Sequence, residues 1–236
     1  MNNHHLYSAY FAMLFLVGMS TAATFAHAEE QQKSNSQTKM SIVGENLFLL
    51  GTFDHFTAKN AIAILEQNPD ISRIVLTANP GSINDIETLR LGRYIRKREL
   101  DTHLIEGGVA TSGGVSLLLA GNNRTVGDNA FLGVHSWAEC SRDDHGKLDC
   151  IPATAFAKDD QAHDLHRVYI KEMLGDDSFY WFSIYSAAHN SIHWLVTEEM
   201  IQYQVVNSEL QQTLDIPFAK AFEREYELTC HNCPKH

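Results

Sequence analysis

What most constrains this chain is a rhythm: short apolar, β-branched runs alternate with stretches whose apolar residues recur at helical spacing. Residues 45–53 (ENLFLLGTF) predict a strand, and residues 57–69 (TAKNAIAILEQNP) a helix ending near its proline. Residues 72–82 (SRIVLTANPGS) read as a strand running into a tight Pro-Gly-Ser turn. The next helix, in residues 83–100, sets Ile86, Leu89, Leu91 and Ile95 at near-helical spacing, with acids early and an Arg-Lys-Arg run late. Residues 101–107 (DTHLIEG) predict a strand, and an apolar helix begins at Ser112. Residues 123–137 give two short extended pieces punctuated by Gly127-Asp128-Asn129. Farther on, residues 153–174 predict one long amphipathic helix, residues 178–192 another, and residues 197–207 a capped helix leading into a last strand. Alternation with short connections argues for an α/β fold with a mostly parallel sheet. In such sheets, sites collect beyond the carboxyl ends of the strands. Two strand-to-helix turns qualify, ANPGS after the strand at 73–78 and GGVATSGG after the strand at 103–106.

The ends of the chain bear on where it works. No Asp, Glu, Lys or Arg precedes Glu29, and an apolar run around Ala12–Val17 passes into small residues ending Ala26-His27-Ala28. That layout predicts a signal peptide over residues 1–28 and an exported protein, periplasmic or extracellular. Residues 29–40 read as a flexible polar leader, residues 41–220 as one domain, and residues 221–236 as a tail. A net charge of −11 argues against a nucleic-acid partner and against an anionic lipid surface. No other stretch is long and apolar enough to span a bilayer, so no membrane partner is expected after signal cleavage.

Four cysteines in an exported chain suggest disulfides. Cys140 and Cys150 flank a polar turn, which makes a local staple across a surface hairpin the simplest pairing. Cys230 and Cys233 form a C-x-x-C near the C-terminus. A closed structural disulfide, a redox pair and adventitious metal binding with His231 and His236 are its three readings. Three connectivities are possible, and the sequence does not choose among them.

The candidate chemistry centres on Ser112. Gly107, Gly108, Gly113 and Gly114 surround it, letting the backbone turn sharply and bringing bare N–H groups near a hydroxyl. One reading makes Ser112 a helix N-cap. The other makes it a nucleophile beside oxyanion donors, each worth ~3 kcal/mol when aligned. Residues 108–137 (GVATSGGVSLLLAGNNRTVGDNAFLGVHSW) resemble the central block of the ClpP/crotonase superfamily, specifically ClpP-type serine peptidases and exported relatives. The resemblance spans about residues 45–207. It implies a ClpP/crotonase-like fold of repeated ββα-type units, with Ser112 as nucleophile and His135 as general base. The turn at 80–82 is similar to the family's oxyanion turn, which implies donors at Gly81 or Ser82, with the N–H of Gly113 as the second. Residues 193–207 are similar to the family's closing segment.

There are departures. The oxyanion turn has one glycine where the family has a pair, and the family's acid position holds Ile192. An isoleucine cannot orient an imidazole, and losing that carboxylate from a full triad costs about 10⁴ in rate. Asn190 is the candidate replacement orienter, with Ser191 a weaker one. The spaced pairs His189/His193 and His163/His166 lack a completing ligand, so solvated histidines and no metal are expected. Residues 179–185 (FYWFSIY) read as packing, the Ile95–Leu100 stretch as an exposed basic helix end, and the sequon at Asn123 as a turn. These observations lead to an exported serine hydrolase, an ATP-independent peptidase that needs no cofactor. It would act on peptides or unfolded protein, with homo-oligomers possible. The alternative is a catalytically degenerate module that binds peptides or proteins in the same groove.

Overall fold

The computed structural model describes residues 38–142, 144–209 and 219–230, with Leu214, Pro217, Cys233 and Pro234. Residues 1–37, which take in the expected signal peptide and most of the expected leader, lie outside the described residues, as do His231 and His236. A mixed α/β architecture with a mostly parallel sheet is observed, as the alternation implies. Strands β1 (Lys39–Val43), β2 (Asn46–Leu50), β3 (Arg73–Asn79), β4 (Asp101–Thr111), β5 (Arg124–Val126), β6 (Phe131–Val134) and β9 (His193–Trp194) form one seven-stranded sheet. Its order is β1-β2-β3-β4-β6-β9, with β5 also pairing β4. The inner pairings are parallel, and the two edges, β1 on β2 and β9 on β6, are antiparallel. The two short pieces expected at 123–137 are β5 and β6, laid end to end along the long β4. The turn between them is tied to β4 by N–H bonds from Gly127 to Leu104 and from Gly107 to Asp128.

Side-chain alternation splits the sheet into two faces. Leu47, Leu49, Ile74, Leu76, Leu104 and Ala110 belong to the main core, which is covered by helices. These are α1 (Thr57–Gln67), α2 (Asp85–Lys97), α3 (Gly113–Leu119), α4 (Asp164–Leu174) and α5 (Ser178–Ser186). The opposite face, with Phe48, Val75 and Ile105 in one cluster and Leu50, Ala78 and Val109 in another, is covered from the C-terminal side by Phe222 and Tyr226. Those two belong to α7 (Ala219–Thr229), which follows the short α6 (Thr197–Gln202). The i, i+4 spacing of Phe222 and Tyr226 was a legible helix signal in what reads as a tail.

Two antiparallel strands outside the main sheet, β7 (Ala138–Arg142) and β8 (Leu148–Pro152), form a hairpin with Cys140 opposite Cys150. The two are disulfide-bonded, and Cys230 bonds Cys233 just past the end of α7. Both pairings are therefore local.

Several expectations are corrected. Residues 153–174 are not one helix: two 3₁₀ turns, Ala153–Ala155 and Gln161–His163, precede α4. The Asp160 carboxylate accepts the Ala162 N–H and caps the second of these turns. The helix drawn over 178–192 stops at Ser186, because the chain turns extended to reach β9. Among the described residues no strand follows α6. Instead Asn207 accepts the Arg124 N–H and donates to the Asn122 carbonyl, binding the segment to the start of β5. Arg96, read as part of an exposed basic end, is half-buried and donates to the carbonyls of Leu119, Ala120, Gly121 and Met173.

Candidate active site

Three parallel strands deliver the candidate residues to one edge. β3 runs out into Pro80-Gly81-Ser82, β4 into Ser112, and β6 into His135, all at their carboxyl ends. Hydrogen bonds lace the three exits together. Thr111 Oγ1 donates to the Pro80 carbonyl at 2.7 Å, and the Ser112 N–H donates to the Gly133 carbonyl at 3.0 Å.

The glycines explain how closely the turns approach. A Cβ on Gly113 would lie 2.9 Å from both Cβ and Oγ of Ser82, and one on Gly114 would lie 2.7 Å from the Asn79 carbonyl oxygen. Gly81, at φ 128°, takes a conformation that favours glycine, and its missing Cβ faces Ser112. The Ser82 and Gly113 backbones are thereby pressed side by side.

Ser112 has φ 53° and ψ −117°, a positive-φ conformation that is costly for a residue with a side chain. Its side chain makes no N-cap hydrogen bond. The capping role is thus not what holds this serine in place.

His135 is half-buried, and its Nδ1 lies 2.7 Å from the carbonyl oxygen of Ser136. A carbonyl only accepts, so Nδ1 carries a proton, and in the neutral ring that leaves the lone pair on Nε2. Ser136 is itself fixed: it is buried, its N–H donates to the Ala187 carbonyl, and its hydroxyl donates to the Trp137 carbonyl. The structure does not bring Asn190 to His135. Asn190 is exposed in the turn after α5, and the orienting acceptor is the backbone of the next residue. Ile192 lies beside β6, its Cγ2 2.6 Å from where a Cβ on Gly133 would be. The antiparallel register that pairs Val134 with His193 runs on toward His135 and Ile192.

Ser112, Gly113, Ser82 and His135 line one cavity of about 200 Å³. Apolar side chains in its lining include Leu89, Val115, Leu119, Val134, Ile170 and Phe179, alongside the hydroxyls of Thr88, Ser116 and Ser183. Two titratable groups at the cavity were missed by the sequence reading, Asp85 and His166. Asp85 was read only as an acid favouring a helix N-terminus, and His166 as a solvated histidine. The Ser82 hydroxyl donates to the Asp85 carboxylate, and His166 Nε2 lies 3.4 Å from its other oxygen. Burial alone would raise the Asp85 carboxyl. Hydrogen bonds from His166 and Ser82, then the charges of His166 and His135, outweigh it and hold Asp85 below the ordinary carboxylate value.

His163 is not solvated either. It is 1% exposed, ringed by Trp137, Phe156, Tyr180 and Trp181, with Nδ1 2.6 Å from the Tyr180 hydroxyl. That hydroxyl also accepts from Trp137 Nε1, so the group stiffens the wall behind the cavity. Burial, the largest influence, pushes Tyr180 up to about 12. His193 pairs with Glu199 at 2.9 Å, well placed to hold β9 to α6. Among the described residues no three His, Cys, Asp or Glu side chains gather in a way that could hold a metal ion.

No protein-family model matches the chain, and no curated protein matches it. Among solved structures the chain is similar to a mutant of the 1510-N membrane-bound stomatin-specific protease in complex with a substrate peptide. The identity is 15%, the coverage 69% of this chain and 74% of that one, and the TM-score 0.47. A second mutant of the same protease matches at 15% identity, 71% and 78% coverage and TM-score 0.49. The ClpP protease catalytic domain from Plasmodium falciparum matches at 16% identity, 74% and 90% coverage and TM-score 0.48. These are likenesses of backbone arrangement.

Proposed function

We propose that the protein is a serine hydrolase of peptides that works outside the cytoplasm and without ATP, using Ser112 as nucleophile and His135 as base. The observation that carries this reading is the backbone of Ser112. A serine held at positive φ, with no capping bond to explain it, lines one cavity with a histidine whose Nδ1 is already committed. Backbone strain of this kind is retained where the surrounding structure over-determines it, and the Thr111–Pro80 and Ser112–Gly133 bonds do so here.

In this reading His135 Nε2 takes the proton from Ser112 Oγ as the oxygen attacks a substrate carbonyl. Charge developing on the carbonyl oxygen is met by the N–H groups of Gly113 and of Ser82 or Gly81. The imidazolium returns its proton to the departing amine, and water repeats the sequence to release the acyl group. The Ser136 carbonyl fixes the tautomer, the orienting task that Ile192 cannot perform. Because a cavity of ~150 Å³ lined by apolar groups holds a benzene ring, the pocket of about 200 Å³ suits one phenyl- or leucine-sized side chain. Two local disulfides, and the absence among described residues of any helix long and apolar enough to cross a membrane, are compatible with export.

Fluorophosphonate labelling of the disulfide-intact protein tests the reading. Labelling should disappear in Ser112→Ala and slow roughly 10³- to 10⁴-fold in His135→Ala. A folded wild-type protein that takes no label would make the groove a peptide-binding surface instead.

A further inference from the structure

If His135 takes a proton, a cation forms in a half-buried cavity that offers no carboxylate at position 192. Charge of that kind is unfavourable unless a negative group faces it. Among the described residues lining the cavity, one carboxylate exists, that of Asp85. It stands in the first turn of α2, whose start is fixed by the Asn84 side chain accepting the Glu87 N–H at 3.1 Å. Its two oxygens are held separately, Oδ1 by the Ser82 hydroxyl and Oδ2 by His166 of α4. The other charged groups nearby are engaged elsewhere: Glu87 with Arg90, and Arg93 with Glu172. His135, just past the end of β6, and His166 of α4 are thus the two imidazoles that share the cavity with Asp85.

We propose that Asp85 is the charge partner of His135, a positioning residue that stabilises the imidazolium across the cavity while the Ser136 carbonyl orients the ring. The proposal rests on the hydrolase reading. It divides between two groups the work that one carboxylate does in a complete triad. The backbone carbonyl sets the tautomer, and a carboxylate on another element supplies the negative charge. Ser82 then has two uses, its N–H beside Gly113 and its hydroxyl on Asp85. The depressed Asp85 carboxyl agrees, since the His135 charge is among its causes, after the contributions of His166 and Ser82.

The test uses the full disulfide-intact protein in two arms. In the first, the rate of fluorophosphonate labelling is followed against pH. Asp85→Asn should slow it roughly 10- to 100-fold and move the midpoint of its acid limb. Adding Ile192→Asp to Asp85→Asn should recover at least tenfold, because the β6–β9 register runs on to set position 192 beside His135. A purely structural role for Asp85 would not be rescued from there. In the second arm, the Asp85 carboxyl is titrated by carbon NMR, and its midpoint should rise toward the ordinary value in His135→Gln. Wild-type labelling by Asp85→Asn, or an Asp85 titration unmoved in His135→Gln, overturns the proposal. A wild-type protein that takes no label sinks the hydrolase reading, while the NMR arm still decides whether Asp85 and His135 are coupled.

Discussion

His103 shows how a single residue sets the conditions under which this fold survives. It lies on β4 at 3% exposure, with Nδ1 2.8 Å from the Thr125 hydroxyl. Burial, and then the Arg73 charge, push its pKa down to about 4. In the unfolded chain a histidine titrates near ~6.5, so between those values the unfolded state binds more protons than the folded one. Stability is therefore complete above about pH 6.5 and lost as pH falls toward 4, by about 2–3 kcal/mol at pH 4.5. Urea unfolding at pH 7 and pH 4.5 should show that loss, and His103→Gln should remove most of it; equal slopes in both proteins would mean that other groups carry the acid sensitivity. Residues differ in how far they can be read from sequence. Ser112 and His135 are legible because small residues and short strands mark their turns locally. Asp85 and His166 are not, because they meet across 81 positions of chain and a helix-face histidine looks the same whether it faces solvent or a cavity. The partner of His135 is hidden for a related reason: it is the Ser136 main-chain carbonyl and not the Asn190 side chain, and carbonyls leave no mark in a sequence.

At the scale of elements, the helices that carry the site are tied down at their ends. Arg96 in the last turn of α2 donates to carbonyls at the C-terminus of α3 and to Met173 near the end of α4. Those carbonyls have no partner within their own helices, and a cation there also meets the negative end of each helix dipole. Arg96→Met keeps much of the stem but removes every donor. It should cost about 2–4 kcal/mol in urea unfolding. Arg98→Met, which loses a bond to the Tyr94 hydroxyl and a contact with its ring, should cost under about 1 kcal/mol. Equal effects would show that the helix ends gain nothing from Arg96. The strands and the helices around α1 and α2 were legible from periodicity, since each buries one face against the sheet. Residues 153–163 were not, because Ala153 and Phe156 pack onto Trp137 and His163 through 3₁₀ and extended backbone while keeping apolar spacing compatible with a helix.

The molecule as a whole uses the two sides of its sheet differently. The main core and the cavity share one side. The other side carries Phe48, Val75 and Ile105, with Leu50, Ala78 and Val109, under α7 and the Cys230–Cys233 disulfide. Two apolar faces require two covers, and a chain without α7 would expose a contiguous apolar patch. Phe222 and Tyr226, their rings tilted against each other at 5.7 Å, are the large side chains of that cover. Both are partly buried, so replacing the pair by serine should cost about 2–4 kcal/mol, less than two fully buried aromatics would. The double variant should bind a hydrophobic dye and unfold at lower urea. Its folded fraction should still take label at Ser112 within twofold of wild type, because no residue of α7 lines the cavity. Labelling that collapses while the folded population stays high would mean that the back face holds the strand exits in register, and that the two sides of the sheet act as one unit.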